Sequence, residues 1–425
     1  MSTKPGKRIL MLVENLPSPF DRRVWQEATT LRQNGHEVSI ICPTGHGYES
    51  RHEVLEGIHI YRYRLPVEAS GASGYLLEYG VALTMSFILS VRVLLTRGFD
   101  AIHACNPPDL LFLVGGFYKL FGKKFLFDHH DLCPELYEAK FGRRGFFHRL
   151  LLMAERLTFR TADVSIATNE SYRRIAIERG GMAPERVFVV RSGPSLERMK
   201  IQAPNTALKG GRRYLVGYVG VMGAQEGIDY LLNAVHYIVQ VKKRTDVHFG
   251  LVGGGTSLDA LKQLAVRLGI DQFVTFTGRI HDASMLAMLN TADICVNPDV
   301  ANEMNDKSTM NKIMEYMALG KPIVQFDLTE GRFSAGDASL YARRNDSIDL
   351  AEQMLRLLDD EALRTRMGAY GRQRVTDKLA WDYEAPKLLA AYACLLPETR
   401  QAASGDTPSA REKSALAGRQ QGQTQ

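Results

Sequence analysis

Cysteine is scarce and scattered. The five residues, Cys42, Cys105, Cys133, Cys295 and Cys394, are odd in number and form no Cys-x-x-Cys pair. That argues against a disulfide framework or a thiolate zinc site, and for a reducing compartment. Zinc-finger spacing, an RNA-recognition signature and a long basic arm are also missing. The net charge of +6 is mild; it suits an anionic ligand or an acidic membrane surface and makes no case for nucleic acid. The opening residues, MSTKPGKRILMLVEN, lack the long apolar core and small-residue cleavage site of a signal peptide, so a cytoplasmic location is expected. One stretch, YLLEYGVALTMSFILSVRVLL (75–95), has the length of a membrane span. Glu78 and Arg92 interrupt it near its ends, and Gly80, Thr84 and Ser86 dilute it. A buried or partly buried helix of an α/β domain is the expectation there.

What is present fits a soluble chain with more than one core. Its 425 residues are comfortable for two domains, and its 45% hydrophobic and 24% charged residues are those of a globular protein. Short apolar runs alternate with helical stretches through the first half, from RILMLV (8–13) to VFVV (187–190). The rhythm breaks over 190–213 and restarts at YLVGYVG (214–220). This β-α alternation implies parallel sheets covered on both faces, in two doubly wound Rossmann-like domains. The boundaries are expected at 1–195 and 196–380. A last helix (381–397) packs back on the first domain, and a polar tail (398–425) is expected to be disordered. Ligands of open α/β sheets sit at the carboxyl ends of the strands, so the working site belongs in a cleft between the two lobes.

Residues just after strands then become the candidates. NDKSTMNKIMEYMALGKP (305–322) reads as a helix capped by Ser308 and ended by Gly320 and Pro322. Lys312 lies about one turn in, where the helix dipole disfavours a cation. Ser308, Lys312 and Glu315 share a face. A solvated Lys–Glu pair is one reading; a diphosphate socket, with Thr309 beside it and Glu315 for a ribose diol, is the other. GYVGVMGAQEG (217–227) places Gly220 and Gly223 after a strand, and LVGGG (251–255) does the same with Gly253 and Gly254. The spacing is not Gly-x-Gly-x-x-Gly, so each is either a plain turn or backbone approaching a ligand. Arg279 in FTGRIH is either a surface residue or a partner for a base or phosphate.

Taken in order, FTGRI, MNDKSTMNKIMEYMALGKPIV and LVGGG resemble the donor half of GT-B glycosyltransferases, specifically the retaining family-4 group, and the resemblance spans roughly residues 8–395. It implies a GT-B fold and transfer of a sugar from a nucleotide diphosphate to an acceptor hydroxyl, in polysaccharide or glycolipid assembly. A nucleotide-sugar 2-epimerase or a non-catalytic sugar-nucleotide-binding protein would share the fold. Two departures stand out. Eight residues before Glu315 the usual glutamate is Lys307, leaving Asn305 or Asp306 to meet the sugar. The usual Arg and Lys of the first donor loop are Val221 and Glu226, so Lys312, with Lys307, is expected to supply the missing charge. There is no Asp-x-Asp pair, and neither cofactor nor divalent ion is expected.

On the acceptor side, FLFDHHDLCPELY (125–137) gathers two histidines and three carboxylates. Adjacent His129 and His130 point apart on a strand, which disfavours a metal. His130 and Asp131 match the family's His-Asp position and are the catalytic candidates. Asp21, Arg22 and Arg23 in the first loop and Asn106 in a strand-end loop are the acceptor candidates. Residues 140–160 mix five arginines with Phe146, Phe147 and a leucine run. That suits a helix on the inner face of an anionic membrane, serving a lipid-linked acceptor; an ordinary amphipathic helix fits too.

Overall fold

The computed structural model describes residues 6–65 and 71–397, so the tail expected to be disordered lies outside the described residues. The first sheet holds β1 (Arg8–Leu12), β2 (Glu37–Pro43), β3 (His52–Leu55), β4 (Ile58–Tyr63), β5 (Ala101–Cys105), β6 (Lys124–His129), β7 (Val164–Ala167) and β8 (Val187–Val189). Its order is β3-β4-β2-β1-β5-β6-β7-β8, parallel except for the edge hairpin β3–β4. The second sheet holds β9 (Tyr214–Val219), β10 (Val247–Val252), β11 (Val274–Gly278), β12 (Ile294–Asn297), β13 (Ile323–Phe326) and β14 (Ser339–Ala342). It is wholly parallel, in the order β11-β10-β9-β12-β13-β14. Central strands such as VHFGLV of β10 are buried throughout, as a sheet covered on both faces demands.

The first lobe carries α1 (Arg22–Gln33), α2 (Gly71–Thr96), α3 (Phe112–Lys119), α4 (Cys133–Phe141), α5 (Phe146–Thr161) and α6 (Glu170–Glu178). The second carries α7 (Ile228–His236), α8 (Leu258–Arg267), α9 (Asp282–Thr291), α10 (Glu303–Lys307), α11 (Asn311–Ala318), α12 (Thr329–Ala335), α13 (Ser347–Asp359) and α14 (Glu361–Arg374). Alternation along β1 divides the first core. Leu10 and Leu12 pack with Phe125, Phe127 and the inner sides of α2, α3 and α5, whereas Ile9 and Met11 pack with α1. The chain's last helix, α15 (Trp381–Leu395), joins that second face through Leu388, Tyr392 and Leu395. Trp381 Nε1 donates to Thr30 Oγ1 at 2.9 Å, and Tyr392 OH meets His103 Nδ1 at 2.8 Å, which fixes the returning helix on the first lobe.

One expectation changes here. The helix after Ser308 is broken: α10 ends at Lys307, Ser308 is its C-cap with extended backbone, and α11 begins only after Met310. Ser308 therefore caps nothing downstream; its Oγ donates to Met304 O at 2.7 Å. Helix α2 is partly buried: Ala82 and Val93 enter the core, while 22% of its apolar segment lies inside the molecule.

Candidate functional site

The carboxyl ends of both sheets face one cleft, and the first lobe's contribution rests on Asp128 at the end of β6. Arg23 grips this carboxylate with two nitrogens, at 2.8 and 3.2 Å, and also donates to Val190 O at 2.8 Å. Burial pushes Asp128 up, but the Arg23 charge, His130 and the hydrogen bonds from His103 and His130 together outweigh it and hold the group well below the ordinary carboxylate range. Asp128 Oδ2 also lies 2.5 Å from His130 Nε2, a nitrogen that Arg23 Nε approaches at 3.0 Å. Asn106 fixes the backbone beneath: its Oδ1 accepts from the amides of His130 (2.6 Å) and Asp131 (3.1 Å), and its Nδ2 donates to Asp131 O (2.7 Å). Glu27, Cys105, Asp128 and His130 bring possible ligand atoms within 4.8 Å of one another. The Arg23 guanidinium lies among them, 3.1 Å from Glu27, and already supplies the positive charge a metal would bring.

Three of the four acceptor candidates are thus part of this frame. Arg23 and Asn106 are buried, and Asp21 is the N-cap of α1, accepting from Val24 N at 3.2 Å. Only Arg22 reaches the cleft, and it reaches the opposite lobe. His129 is wholly buried, and burial lowers its pKa to about 3, so it is neutral.

In the second lobe, glycines bring three strand ends together. Gly220 N donates to Val252 O at 3.1 Å, and Gly253 N to Gly278 O at 3.0 Å. Gly253 has a φ of 136°, and a Cβ there would lie 1.8 Å from Gly220 O, so no other residue fits. Gly254 borders Arg279; Gly223 sits further along the same loop. Arg279 is exposed and has no carboxylate partner among the described residues; its guanidinium stands 5.8 Å from the Phe20 ring of the first lobe.

Lys312 is not such a cation. Its amine is buried, held by Glu226 and by Asp299 at 2.9 Å, with the Tyr218 ring 5.1 Å away. Burial would lower its pKa, but Asp299, Tyr218 and Glu226 outweigh that and keep it protonated. Glu226 stands where the resemblance expects a cation, so the two departures satisfy each other and leave no charge for a ligand. Lys307 is likewise paired, with Glu303 at 2.7 Å. Asn305 is buried and ties Gln225 O to Val300 O, at 2.8 Å each. Asp306 turns away to Thr329 and Arg344. Tyr172 OH meets Ser308 Oγ at 3.0 Å, and Asn169 Nδ2 donates to Thr309 Oγ1 at 3.0 Å, so both donor candidates are engaged by the first lobe. Glu315 accepts from Arg22 at 3.2 Å and from Arg198 at 3.0 Å, not from Lys312.

Arg198, Asp282, Asn169 and Tyr172 were not singled out in the sequence. Asn169 had a signal, an N-cap residue directly after a strand; the Arg198 pairs cross 84 and 117 residues and had none.

Comparison with known proteins agrees with this architecture. A model described as Glycosyltransferase Family 4 matches residues 21–198, and one described as Glycosyl transferases group 1 matches residues 213–360. An uncharacterized glycosyltransferase of Methanocaldococcus jannaschii is 22% identical over 86% of this chain and 91% of its own length. A capsular polysaccharide biosynthesis glycosyltransferase of Staphylococcus aureus is 23% identical over 60% of this chain and 68% of its own. A phosphatidyl-myo-inositol mannosyltransferase of Mycobacterium leprae is 27% identical over 40% and 43%. Among solved structures, sucrose-phosphate synthase of Thermosynechococcus elongatus superposes with a TM-score of 0.74 at 18% identity, covering 91% of this chain and 98% of that one. Anabaena HepE in complex with UDP-glucose superposes with a TM-score of 0.70 at 16% identity, covering 92% and 100%. The fold is GT-B, and the chain belongs to the group 1, family 4 glycosyltransferases.

Proposed function

We propose that this glycosyltransferase takes its sugar from a nucleoside diphosphate donor seated between the glycine-rich strand ends and the first lobe, and passes it to an acceptor hydroxyl with retention of anomeric configuration. The observation that carries the reading is Arg279. It is an unpaired cation beside a glycine-lined backbone, facing Phe20 across the cleft. There it would stabilise charge on the departing diphosphate, a task that needs positioned positive groups and no metal. We therefore also propose that the reaction needs no divalent ion. The C1–O bond to the diphosphate breaks as the acceptor oxygen bonds to C1 on the same face, and the acceptor proton passes to a phosphate oxygen of the donor. His130, held through Nε2, would hydrogen-bond a sugar hydroxyl through Nδ1.

Anabaena HepE is solved with UDP and glucose, and the matched mannosyltransferase and capsular enzyme act on a phosphatidylinositol and in capsule synthesis by name. These support a UDP-type donor, a lipid-linked acceptor and a role in cell-surface glycan assembly; the arginines and aromatic residues of 140–160 support contact with a membrane, which we place on its cytoplasmic face. The test incubates the protein with UDP-, GDP- and ADP-sugars, with and without lipid-linked saccharides, in the presence of EDTA. A glycosylated acceptor whose anomeric configuration by NMR matches the donor is expected. Free nucleotide and an epimerised sugar without acceptor would mean an epimerase; binding without turnover would mean a sensor.

A further inference from the structure

Helix α2 is long and apolar enough to cross a membrane, yet only 22% of its apolar window is buried, and one side of it, with Leu77, Ile88, Arg92 and Leu95, is exposed. It cannot leave the molecule to do so, because its inner side supplies Ala82, Val93, Ser86 and Ser90 to the buried interior of the first lobe. Its neighbours share the anomaly. Phe87 of α2 stacks edge-on with Phe117 of α3 at 5.1 Å, and Ser90 meets Tyr118 of α3 at 3.0 Å. On the other side, Lys119 of α3 donates to Thr161 O of α5 at 2.7 Å. The three helices therefore lie side by side on one sheet face with their outer sides together.

Those outer sides are apolar. More than half of the large hydrophobic side chains exposed among the described residues fall between 77 and 157. Ile88 and Leu95 come from α2, Phe117 and Leu120 from α3 and its end, and Phe146 and Met153 from α5; Leu95 and Leu120 are 79% and 82% exposed. Exposed apolar side chains gathered from three adjoining elements mark an interaction surface. Its exposed charges are of one sign. Arg92, Arg149, Arg156 and Arg160 are exposed, the one acid of α2, Glu78, is half-buried and close enough to Glu14 to raise its pKa, α3 carries no acid, and the one acid of α5, Glu155, is buried against Arg179. A two-fold contact with a second copy would set this basic rim against itself. An anionic headgroup layer matches both the apolar area and the cations.

We propose that the outer faces of α2, α3 and α5 form one docking surface that seats in the interfacial layer of an anionic bilayer, beside the acceptor half of the cleft. The surface meets the cleft at two points: α3 follows the Asn106 loop, and Arg144, just before α5, pairs with Glu303 of the second lobe at 3.0 Å. The inference rests on the membrane reading above and extends it from one helix to three, with α2 lying in the interface plane.

The test is co-sedimentation of the full-length protein with vesicles of phosphatidylcholine alone, or with about one-third phosphatidylglycerol. Wild type is expected to bind the anionic vesicles and to be released in part by salt. Ile88→Glu with Leu95→Glu, Leu120→Glu with Phe121→Glu, and Phe146→Glu with Met153→Glu are each expected to lower binding by about tenfold. These side chains are exposed, so unchanged melting curves and unchanged transfer to a soluble acceptor are expected too. If only the α5 pair matters, the three-helix surface is wrong and the single-helix contact stands. If wild type ignores vesicles, both membrane readings fall, while transfer to a soluble acceptor would keep the enzyme reading. A lipid-free dimer dissociated by the α2 or α3 pairs would assign the face to a second copy. Release only by detergent would mean that α2 spans. Either result overturns the proposal.

Discussion

Arg22 of the first lobe lies 3.2 Å from Glu315 of the second, and its other terminal nitrogen is 2.9 Å from Asp282. Arg198, on the chain between the lobes, bonds the same two carboxylates at 3.0 and 2.7 Å. Two arginines and two acids thus bridge the cleft beside Arg279. Arg22 and Asp282 are about half exposed, so the bridge is worth roughly 1 kcal/mol or less. Arg22→Ala should leave the melting temperature almost unchanged. It should raise the donor KM several-fold, because the lobes lose their register around the ligand; steady-state kinetics beside a thermal melt checks both.

Lys312 is a different case. Removing its amine leaves Glu226 and Asp299 close together and buried without a cation. Lys312→Ala should cost about 3–5 kcal/mol of stability, measured by urea unfolding. Adding Glu226→Gln should recover part of the loss, because one of the stranded charges goes with it. Unchanged stability with lost nucleotide affinity would instead make the amine a ligand group.

Glu14, at the end of the first strand, is 2% exposed, and burial with help from Glu78 pushes its carboxyl up to about 8. The folded chain keeps this proton to a higher pH than the unfolded chain, whose group titrates near 4.5. The associated stability is full below that lower value and is lost as pH rises through the upper one. Between pH 5 and 8 wild type should lose up to roughly 3 kcal/mol through this group. Glu14→Gln should lack that slope, which denaturant titrations at both pH values would show.

His130→Ala should lower turnover about a hundredfold while nucleotide binding persists, because the proposed role places its ring against the reacting sugar. Asn106→Ala should lower turnover more modestly, about tenfold, with some loss of stability, because Asn106 acts only by holding the His130–Asp131 backbone. Isothermal titration with nucleoside diphosphates beside turnover assays separates the two effects.

The β-α rhythm made both sheets legible in advance, because buried parallel strands read as short apolar runs. Elements without that contrast were missed. His52–Leu55 is a half-exposed edge strand, and the charged Glu361–Arg374 helix has little apolar periodicity. The sequence flagged Glu226, where a cation was missing, and Lys312, 86 residues away, as separate oddities, and aimed Lys312 at a ligand. Folding aims Lys312 at Glu226 instead, a relation that no local pattern encodes. The same limit hid the Arg22–Glu315 bridge. It also hid the outward face of α2, whose composition alone does not say which side meets the sheet.

The central claim is that Arg279, and not Lys312, supplies the open positive charge for a nucleoside diphosphate sugar in the cleft. A thermal-shift panel of UDP-, GDP- and ADP-sugars on wild type and Arg279→Ala tests it most directly. The account predicts that at least one donor raises the wild-type melting temperature, and that Arg279→Ala melts like wild type without ligand but loses about tenfold or more in donor affinity. Equal stabilisation of both proteins by the same donor would contradict it.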